Sequence, residues 1–359
     1  MKTWIIGIAM DWIGAEKPSV NKNLIYAIMQ PMEGQIYKIH SDFYYVDDGQ
    51  NSHECKIREV LKKQREKILV GDFVDFENGV ITNIIPRKNF IKRPSVANID
   101  QIIIVSALKE PDLDLHQLNR YISLAKYYNI PTVLCFNKDD LKWDRHLSSK
   151  IKGIYEPLGY KIAYTSATEH KGIKNFEKIL EGKTSVLCGN SGVGKSSLVN
   201  AINPNLNLRT KEISEKTQRG THTTRHCEII KINDTSRIVD TPGFSNVKFD
   251  FILPADVDLL FPDIAQFRDD CKYSDCLHIN EDGCNVLENI DKIDETRYES
   301  YLSFIDEAKE YKERIKYFGK KEEHSKKIVH NRQIAKISEK KRQSGRNTVR
   351  QKIYKEIEN

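Results

Sequence analysis

One stretch of nine residues, 189–197, limits what this chain can fold into more than any other. It reads Gly-Asn-Ser-Gly-Val-Gly-Lys-Ser-Ser, which matches the phosphate-binding loop pattern G-x-x-x-x-G-K-S/T. An apolar run rich in β-branched residues, Thr184–Cys188, precedes it, and residues 197–202 continue with helical spacing. A strand, a glycine-rich turn and a helix in this order are the context that the motif needs. The sequence therefore predicts an α/β fold with a phosphate site on this loop.

The residue types of this loop explain how it would bind a nucleotide. Glycine lets backbone N–H groups close around phosphate oxygens, and the start of the following helix adds partial positive charge. Lys195 would reach the β and γ phosphates, where it also serves catalysis, and the Ser196 hydroxyl would ligate Mg²⁺. The predicted nucleotide contacts of the loop are Gly189, Asn190, Ser191, Gly192, Val193, Gly194, Lys195, Ser196 and Ser197.

A second motif, upstream of the loop, indicates which base the site reads. The apolar run 132–136 ends at N-K-x-D, residues 137–140. An aspartate at the fourth position accepts two hydrogen bonds from the guanine edge, which adenine cannot donate. Asp140 is therefore predicted to select GTP and GDP. Asn137 would tie this loop to the phosphate loop, and the Lys138 stem would cover the face of the base.

Two further loops extend the predicted nucleotide site. After the run 159–164, Ser166 and Ala167 resemble a loop whose backbone N–H contacts the guanine carbonyl. Downstream of the phosphate loop, a strand pattern leads into D-x-x-G, from Asp240 to Gly243. Asp240 would hold Mg²⁺ through water, and the Gly243 N–H would meet the γ-phosphate.

These motifs occur in an unusual order along the chain. The base-reading loops come first, the phosphate loop follows, and the segments that respond to the γ-phosphate come last. An ordinary small GTPase begins with its phosphate loop. The order therefore predicts a circularly permuted P-loop GTPase domain, in which D-x-x-G leads directly into the C-terminal segment.

Length and composition narrow the class of protein. A chain of 359 residues with 39% apolar residues is expected to form two or three packed domains. The longest apolar run near the start, residues 4–10, is too short to span a bilayer, and no leader-peptide cleavage pattern follows it. Seven cysteines, an odd number, argue for a reducing compartment. The expectation is a cytoplasmic protein without a membrane partner.

The segment 35–86 reads as short strands broken by turn residues, which is typical of an OB-type barrel. The predicted strands are 35–40, 43–47, 54–58, 72–77 and 80–85. Such barrels bind single-stranded nucleic acid through basic and aromatic side chains. Candidates here are Phe43, Tyr44, Tyr45, Lys56, Arg58, Lys62, Lys63 and Arg65. The alternative for the aromatic residues is core packing, which strand alternation requires of about half of them.

Three cysteines and one histidine gather downstream of D-x-x-G. They are Cys271, Cys276, His278 and Cys284. Three thiols and one imidazole form the ligand set of a closed structural zinc site, with no position left for water. The intervening residues are polar, which favours a metal site over core cysteines. Residues 294–318 then read as a helix.

The net charge of +6 is concentrated at the C-terminus. Residues 319–359 contain 13 Lys and Arg against 5 Glu, a net charge of +8. This segment is expected to contact a phosphate backbone, and the alternative is a solvated helix face.

Together the permuted order, the OB-like segment and the Cys-Cys-His-Cys cluster resemble the bacterial small-ribosomal-subunit-dependent GTPase A family (RsgA, also called YjeQ) from about residue 32 to 318. The resemblance implies a GTPase that acts late in maturation of the small ribosomal subunit, binds rRNA through both flanking domains and is released after hydrolysis. It implies GTP or GDP, Mg²⁺ and one Zn²⁺, and a monomer that does not bind DNA. The expected domains are 1–31 (an extension), 32–93 (OB barrel), 94–262 (permuted GTPase), 263–318 (zinc-binding helical domain) and 319–359 (basic tail).

The residue that positions the attacking water differs from the common GTPase pattern. Many GTPases use a glutamine just after D-x-x-G, but here that position is Phe244, whose side chain cannot orient water. His222, in a segment that resembles a first switch, is the predicted replacement, and the family resemblance indicates the same residue. Thr224 is preferred to Thr223 as the switch ligand of Mg²⁺, and the sequence leaves both open.

Two other functions compete with a ribosome-stimulated GTPase. In the first, the protein is a GTP-regulated RNA-binding module whose hydrolysis is incidental. In the second, it is a P-loop ATPase or kinase that acts on a small molecule. Asp140 argues against the second, because it reads guanine.

Overall fold

A computed structural model of the chain describes residues 31–62, 67–208, 227–240, 249–318, 326–329 and 332–335. The chain divides into two compact units. The first contains the residues up to 68 together with 72–86, and the second contains 69–71 together with the residues from 87 onward.

The first unit is a five-stranded barrel. Its strands are β1 (Met32–His40), β2 (Phe43–Asp47), β3 (Ser52–Ile57), β4 (Phe73–Glu77) and β5 (Val80–Ile84), with a short helix α1 (Glu59–Lys62) after β3. β1 pairs with both β2 and β4, and β3 pairs with β5, so the ladder closes on itself. Alternating side chains such as Ile36, Val46, Val74 and Phe76 are fully buried inside it. The predicted OB-type barrel is confirmed, and every strand end lies within three residues of its predicted position.

The second unit begins with a short ladder between β6 (Phe90–Ile91) and β7 (Val96–Ala97) and continues into a six-stranded sheet. The sheet strands are β8 (Gln101–Ala107), β9 (Thr132–Asn137), β10 (Lys161–Tyr164), β11 (Thr184–Cys188), β12 (Glu228–Lys231) and β13 (Arg237–Asp240). Their order is β10-β9-β8-β11-β13-β12, and only the edge strand β12 runs antiparallel to its neighbour. Parallel strands are buried on both faces, which explains the continuous apolar runs.

Four helices accompany this sheet: α2 (Leu115–Tyr127), α3 (His146–Tyr155), α4 (Ile173–Leu180) and α5 (Lys195–Ile202). Ile103 and Val105 of β8 pack with Phe176 of α4 and Leu198 of α5 in one core. Asp114 caps α2, because its carboxylate accepts the Gln117 N–H at 3.0 Å. The predicted α/β architecture, a mostly parallel sheet with helices packed on it, is confirmed.

The C-terminal part of the second unit is helical. It contains α6 (Pro262–Ala265), α7 (Asn285–Glu288) and α8 (Glu295–Phe318), with 3-10 turns at Pro254–Leu260, Arg268–Asp270 and Ile290–Lys292. Its core is aromatic and centres on Phe249, Phe261, Tyr301 and Phe304. Farther on, β14 (Lys326–Val329) and β15 (Arg332–Ala335) form an antiparallel pair, which the sequence did not predict. Across the described ranges, no helix combines the length and the apolar character that crossing a lipid bilayer demands.

Polar contacts attach α8 to α2. Arg120 of α2 forms a bidentate ion pair with Glu307 of α8, at 2.8 and 2.5 Å. The Glu307 carboxylate also accepts the backbone N–H of Phe249 at 3.1 Å. Because bidentate Arg–carboxylate pairs hold one geometry, this cluster fixes the first described residue after D-x-x-G against both helices.

Candidate nucleotide-binding site and metal centre

Two glycines of the phosphate loop are required by close contacts as well as by their backbone angles. Gly189 has φ 141°, and a Cβ there would lie 2.0 Å from the Val105 carbonyl oxygen. Gly194 has φ 95°, and a Cβ there would lie 2.2 Å from the Asn137 amide nitrogen. Any larger residue would push the loop away from β8 and β9. These positions therefore hold the loop at the carboxyl edge of the sheet.

Lys195, the first residue of α5, lies over this loop. Its ammonium donates to the carbonyl oxygens of Gly189 at 2.7 Å and Asn190 at 2.8 Å. The adjoining Ser196 and Ser197 are half-buried in the first turn of the helix. The Lys195 ammonium and the first turn of the helix thus lie beside the same loop, an arrangement that suits a phosphate.

The base-reading loop is tied to the phosphate loop by a buried amide. Asn137, at the end of β9, donates its Nδ2–H to the Val193 carbonyl oxygen at 2.9 Å. Its Oδ1 accepts the Thr165 hydroxyl at 3.2 Å, which connects the same side chain to the loop that carries Ser166. This is the link between loops that the N-K-x-D motif predicts. One side chain therefore sets the spacing of three loops.

The other three side chains of N-K-x-D differ in their contacts and in their exposure. Lys138 has a left-handed backbone (φ 64°), and its ammonium donates to the Glu110 carbonyl oxygen. Asp139 is buried and paired with Lys171. Asp140 is half-exposed and forms no ion pair within the described part of the chain. Its carboxylate is therefore available to accept hydrogen bonds from a base.

Asp240 lies at the end of β13, beside the carboxyl end of β11. Partial desolvation and the nearby Glu228 carboxylate raise the pKa of the Asp240 carboxyl, whereas Lys195 lowers it. Asp240 and the phosphate loop lie at the same carboxyl edge of the sheet. The other predicted residues of this region, namely His222, Thr223, Thr224 and Gly243, lie outside the described residues.

Tyr121 of α2 is a site residue that sequence reasoning missed. Its hydroxyl donates to the side-chain oxygen of Asn190, in the phosphate loop, at 2.9 Å. Burial raises the pKa of Tyr121 to about 12, so the phenol remains a protonated donor at neutral pH. The only sequence signal is its position in the apolar stripe of α2, three residues after Leu118, which predicts core packing instead.

Tyr121→Phe is expected to weaken GDP and GTP binding by about 3- to 10-fold, because one hydrogen bond is worth about 0.5–1.5 kcal/mol. Titration with a fluorescent guanine nucleotide measures this change. Tyr127→Phe removes the same hydroxyl from an exposed position on the same helix and serves as the control. Equal affinities of the two variants would rule out a role of Tyr121 in holding the loop.

The four predicted metal ligands come together. The ligand atoms of Cys271, Cys276, His278 and Cys284 all lie within 4.8 Å of one another. The separations include 3.6 Å (Cys271 Sγ to His278 Nδ1), 3.9 Å (Cys271 Sγ to Cys284 Sγ) and 3.4 Å (His278 Nδ1 to Cys284 Sγ). Zinc bonds of about 2.3 Å to sulfur and about 2.0 Å to nitrogen give tetrahedral edges of about 3.5–3.8 Å. The residues therefore fit a tetrahedral cation of this size.

Neighbouring groups orient these ligands. Nε2 of His278 lies 3.4 Å from Asp258 Oδ2, so Nδ1 is the nitrogen that faces the thiols. Arg268 holds the same carboxylate at 2.9 Å. A carboxylate behind a ligating histidine is a common feature of zinc sites. Asp258 is 20 residues upstream of His278, and no motif in the sequence indicates it.

The Glu281 side chain organises the turn inside the cluster. Its carboxylate accepts the backbone N–H groups of Leu277 and Ile279, both at 2.8 Å. These bonds lower the pKa of the Glu281 carboxyl against the opposing effect of burial. These bonds help to hold the turn that contains His278, whose φ is 54°.

Family models match most of the described chain. The RsgA N-terminal domain matches residues 33–82, and the RsgA GTPase domain matches residues 84–250. A model described as a 50S ribosome-binding GTPase matches residues 184–332.

Individual relatives agree with these matches. The small ribosomal subunit biogenesis GTPase RsgA of Alkaliphilus metalliredigens is 41% identical, over 77% of this chain and 98% of its own length. The protein of the same name from a Geobacillus species is 40% identical, over 79% of this chain and 99% of its own length. The crystal structure of YjeQ from Thermotoga maritima superposes with a TM-score of 0.66 at 34% identity, covering 77% of this chain and 98% of that one. YloQ, described as a circularly permuted GTPase, gives a TM-score of 0.65 at 31% identity, covering 79% and 96%.

Proposed function

Because the chain belongs to the RsgA family of circularly permuted GTPases, we propose that it hydrolyses GTP during biogenesis of the small ribosomal subunit. The observation that carries this function is the buried bond from Asn137 to Val193, which joins a guanine-type N-K-x-D loop to a phosphate loop. GTP or GDP with Mg²⁺ is the corresponding ligand.

Each part of the site has a proposed role. The backbone of residues 189–194 and the Lys195 ammonium bind the phosphates, while Asp140 accepts from the guanine edge and Ser166 and Ala167 border it. The bound Mg²⁺ would neutralise charge on the phosphates, with Ser196, Asp240 and a switch threonine, Thr224 or Thr223, as its protein ligands. Gly243 would donate its backbone N–H to the γ-phosphate. The Lys195 ammonium over the loop, and Ser196 next to it in the first turn of α5, support this assignment.

The Cys₃His cluster is proposed to hold one structural zinc ion. A closed set of four soft ligands leaves no coordination position for catalysis. The buried ligands lie in the same core as Phe261 and Tyr301, so the ion would stabilise the C-terminal helical domain, residues 263–318. The flanking domains proposed with it are 32–93 for the barrel and 94–262 for the GTPase.

We further propose that rRNA is the contact of this protein on the small subunit, and that the protein acts there as a cytoplasmic monomer. On the barrel, the Lys56 ammonium is exposed and lies 5.2 Å from the centroid of the Phe43 ring. Arg58 is also exposed, whereas Tyr44 packs against the barrel core. A cation beside an accessible ring is a feature of surfaces that bind single-stranded RNA.

Steady-state hydrolysis of GTP and ATP, with and without purified small ribosomal subunits, tests the proposed function. Strong stimulation restricted to GTP is the expected result. Tight GTP binding without stimulation would instead favour a GTP-regulated RNA-binding module. Comparable hydrolysis of ATP would contradict the role of Asp140.

His222→Ala is expected to lower subunit-stimulated GTP hydrolysis by about 100-fold, because a positioned group that handles the attacking water contributes at least that much. GTP affinity should change little, since the residue would act on water rather than on the nucleotide. His170→Ala, at an exposed position of the same domain, is the control. Unchanged stimulated turnover in the His222 variant would refute the assignment.

A further inference from the structure

A cavity of about 610 Å³ lies on the edge of the sheet opposite the phosphate loop. Gln101, Thr132 and Lys161, the first residues of β8, β9 and β10, all line it. The phosphate loop follows the carboxyl end of β11, where nucleotides bind in sheets of this kind. The cavity is therefore separate from the nucleotide site, and none of the roles proposed above uses it.

All the charged residues that line this cavity are positive. Four lysines line it, Lys126, Lys161, Lys178 and Lys183, and no aspartate or glutamate does. In the segments that the structure describes, none of the four forms an ion pair with a carboxylate. The remaining polar lining groups, such as Asn129 and Tyr160, are neutral. A cavity of this size and charge suits an anionic ligand.

Lys183 is held in place by uncharged oxygens. Its half-buried ammonium donates to Gln101 Oε1 at 3.1 Å and to the Ile179 carbonyl oxygen at 3.2 Å. Gln101 is itself fixed, because its Nε2 donates to Ile179 O at 2.8 Å and Ser185 Oγ at 2.9 Å. An ammonium has three N–H donors, so one remains for a ligand. The protein thus positions a cation that forms no ion pair with any described carboxylate.

Helix dipoles explain part of this cluster. Lys126 and Lys178 lie in the last turns of α2 and α4, where a basic residue offsets the partial negative charge of about −0.5. Helix dipoles do not explain the presence of Lys161, which begins a strand, or of Lys183, which follows α4 in a loop. The partial negative charges at the ends of α2 and α4 add up to about −1, which is much smaller than the charge of +4 on the four lysines.

We propose that this cavity is a second phosphate-binding site, which takes backbone phosphates of RNA or, by the same chemistry, a free oligophosphate. RNA is favoured because three of the lysines, Lys126, Lys161 and Lys178, are exposed and can follow a chain of phosphates past the anchored Lys183. The inference rests on the proposed ribosomal partner for its biological ligand. The binding chemistry is independent of that partner.

The test compares two triple variants of the full chain with equal net charge. The cavity variant is Lys126→Gln, Lys161→Gln and Lys178→Gln. The control is Lys150→Gln, Lys152→Gln and Lys174→Gln, which are exposed lysines of the same domain that do not line the cavity. Affinity for a single-stranded RNA oligonucleotide is measured by fluorescence anisotropy at several KCl concentrations, with the phosphate loop saturated by a non-hydrolysable GTP analogue.

The cavity variant is expected to bind RNA at least about 10-fold more weakly, with a salt slope lower by about 2, since each phosphate contact on a single strand contributes about 0.7. The control should lose less than about threefold. Equal losses would overturn the proposal. Unchanged basal GTP hydrolysis in both variants verifies that they are folded.

Lysine acylation read by mass spectrometry distinguishes the two sources of phosphate. In the wild-type chain with the GTP analogue bound, protection of Lys161 and Lys183 by the RNA identifies a backbone site. Protection by inorganic tripolyphosphate alone identifies a free oligophosphate site, and protection by neither overturns the proposal. Stimulation of wild-type GTP hydrolysis by small subunits separately tests the ribosomal partner, so failure of one conclusion is distinguishable from failure of the other.

Discussion

Asp140→Asn is expected to weaken GTP binding by about 1,000-fold and to strengthen binding of xanthosine triphosphate. The carboxylate would accept two hydrogen bonds from guanine, and bonds to a charged group are worth about 1.5–3 kcal/mol each. Xanthine presents a carbonyl where guanine has its exocyclic amine, so the asparagine amide can donate to it. The half-exposed position of Asp140 allows the substitution without loss of the fold.

Equilibrium titration with both nucleotides measures the ratio of their affinities. Asp139→Asn is the matched control, because the neighbouring carboxylate is buried against Lys171. That variant should lose stability and keep its preference for GTP. If Asp140→Asn leaves the ratio of GTP to xanthosine triphosphate affinity unchanged, the base is read elsewhere.

Removal of the metal is expected to destabilise the C-terminal helical domain by about 10 kcal/mol, since structural zinc contributes about 10–16 kcal/mol in small zinc domains. The cysteines belong to the aromatic core that also holds Phe249 and Phe304. Loss of that core would release α8 from α2, including the contact between Arg120 and Glu307. Chelation should therefore lower the unfolding midpoint and weaken nucleotide binding together.

Elemental analysis and thermal unfolding test this expectation. The preparation should contain one zinc per chain, and Cys284→Ser should lose it. Cys55→Ser replaces a thiol that is equally buried but lies in the barrel core, so it should retain the metal. Full stability after zinc is stripped would show that the cluster is not a structural site.

The motifs that depend on consecutive residues were predictable. Gly189 and Gly194 occupy backbone conformations that glycine favours, so their spacing alone identifies the phosphate loop. The four predicted metal ligands span only 14 residues, and three cysteines with one histidine in so short a span are unusual. Strand alternation likewise identified all five strands of the barrel.

Contacts between distant segments were not predictable. Tyr121 and Asn190 are 69 positions apart, and Arg120 and Glu307 are 187 apart. Each of these residues fits an ordinary local pattern, either an apolar helix stripe or a charged helix face, which indicates no specific partner. Their partners depend on how α2 packs against the loop and against α8.

The class of fold, the phosphate loop, the guanine-type motif and the candidate metal ligands could be predicted from the sequence, because each follows from local backbone needs or from side-chain chemistry within a short span. Three features emerge only in the folded chain: Tyr121 supports Asn190, Asp258 orients His278, and four lysines from two helices, one strand and one loop share a cavity. Packing brings together residues that lie far apart in the sequence. Such residues leave no periodic pattern that would show in advance which of them come into contact. Such groups acquire a function only when the sheet and its helices have formed.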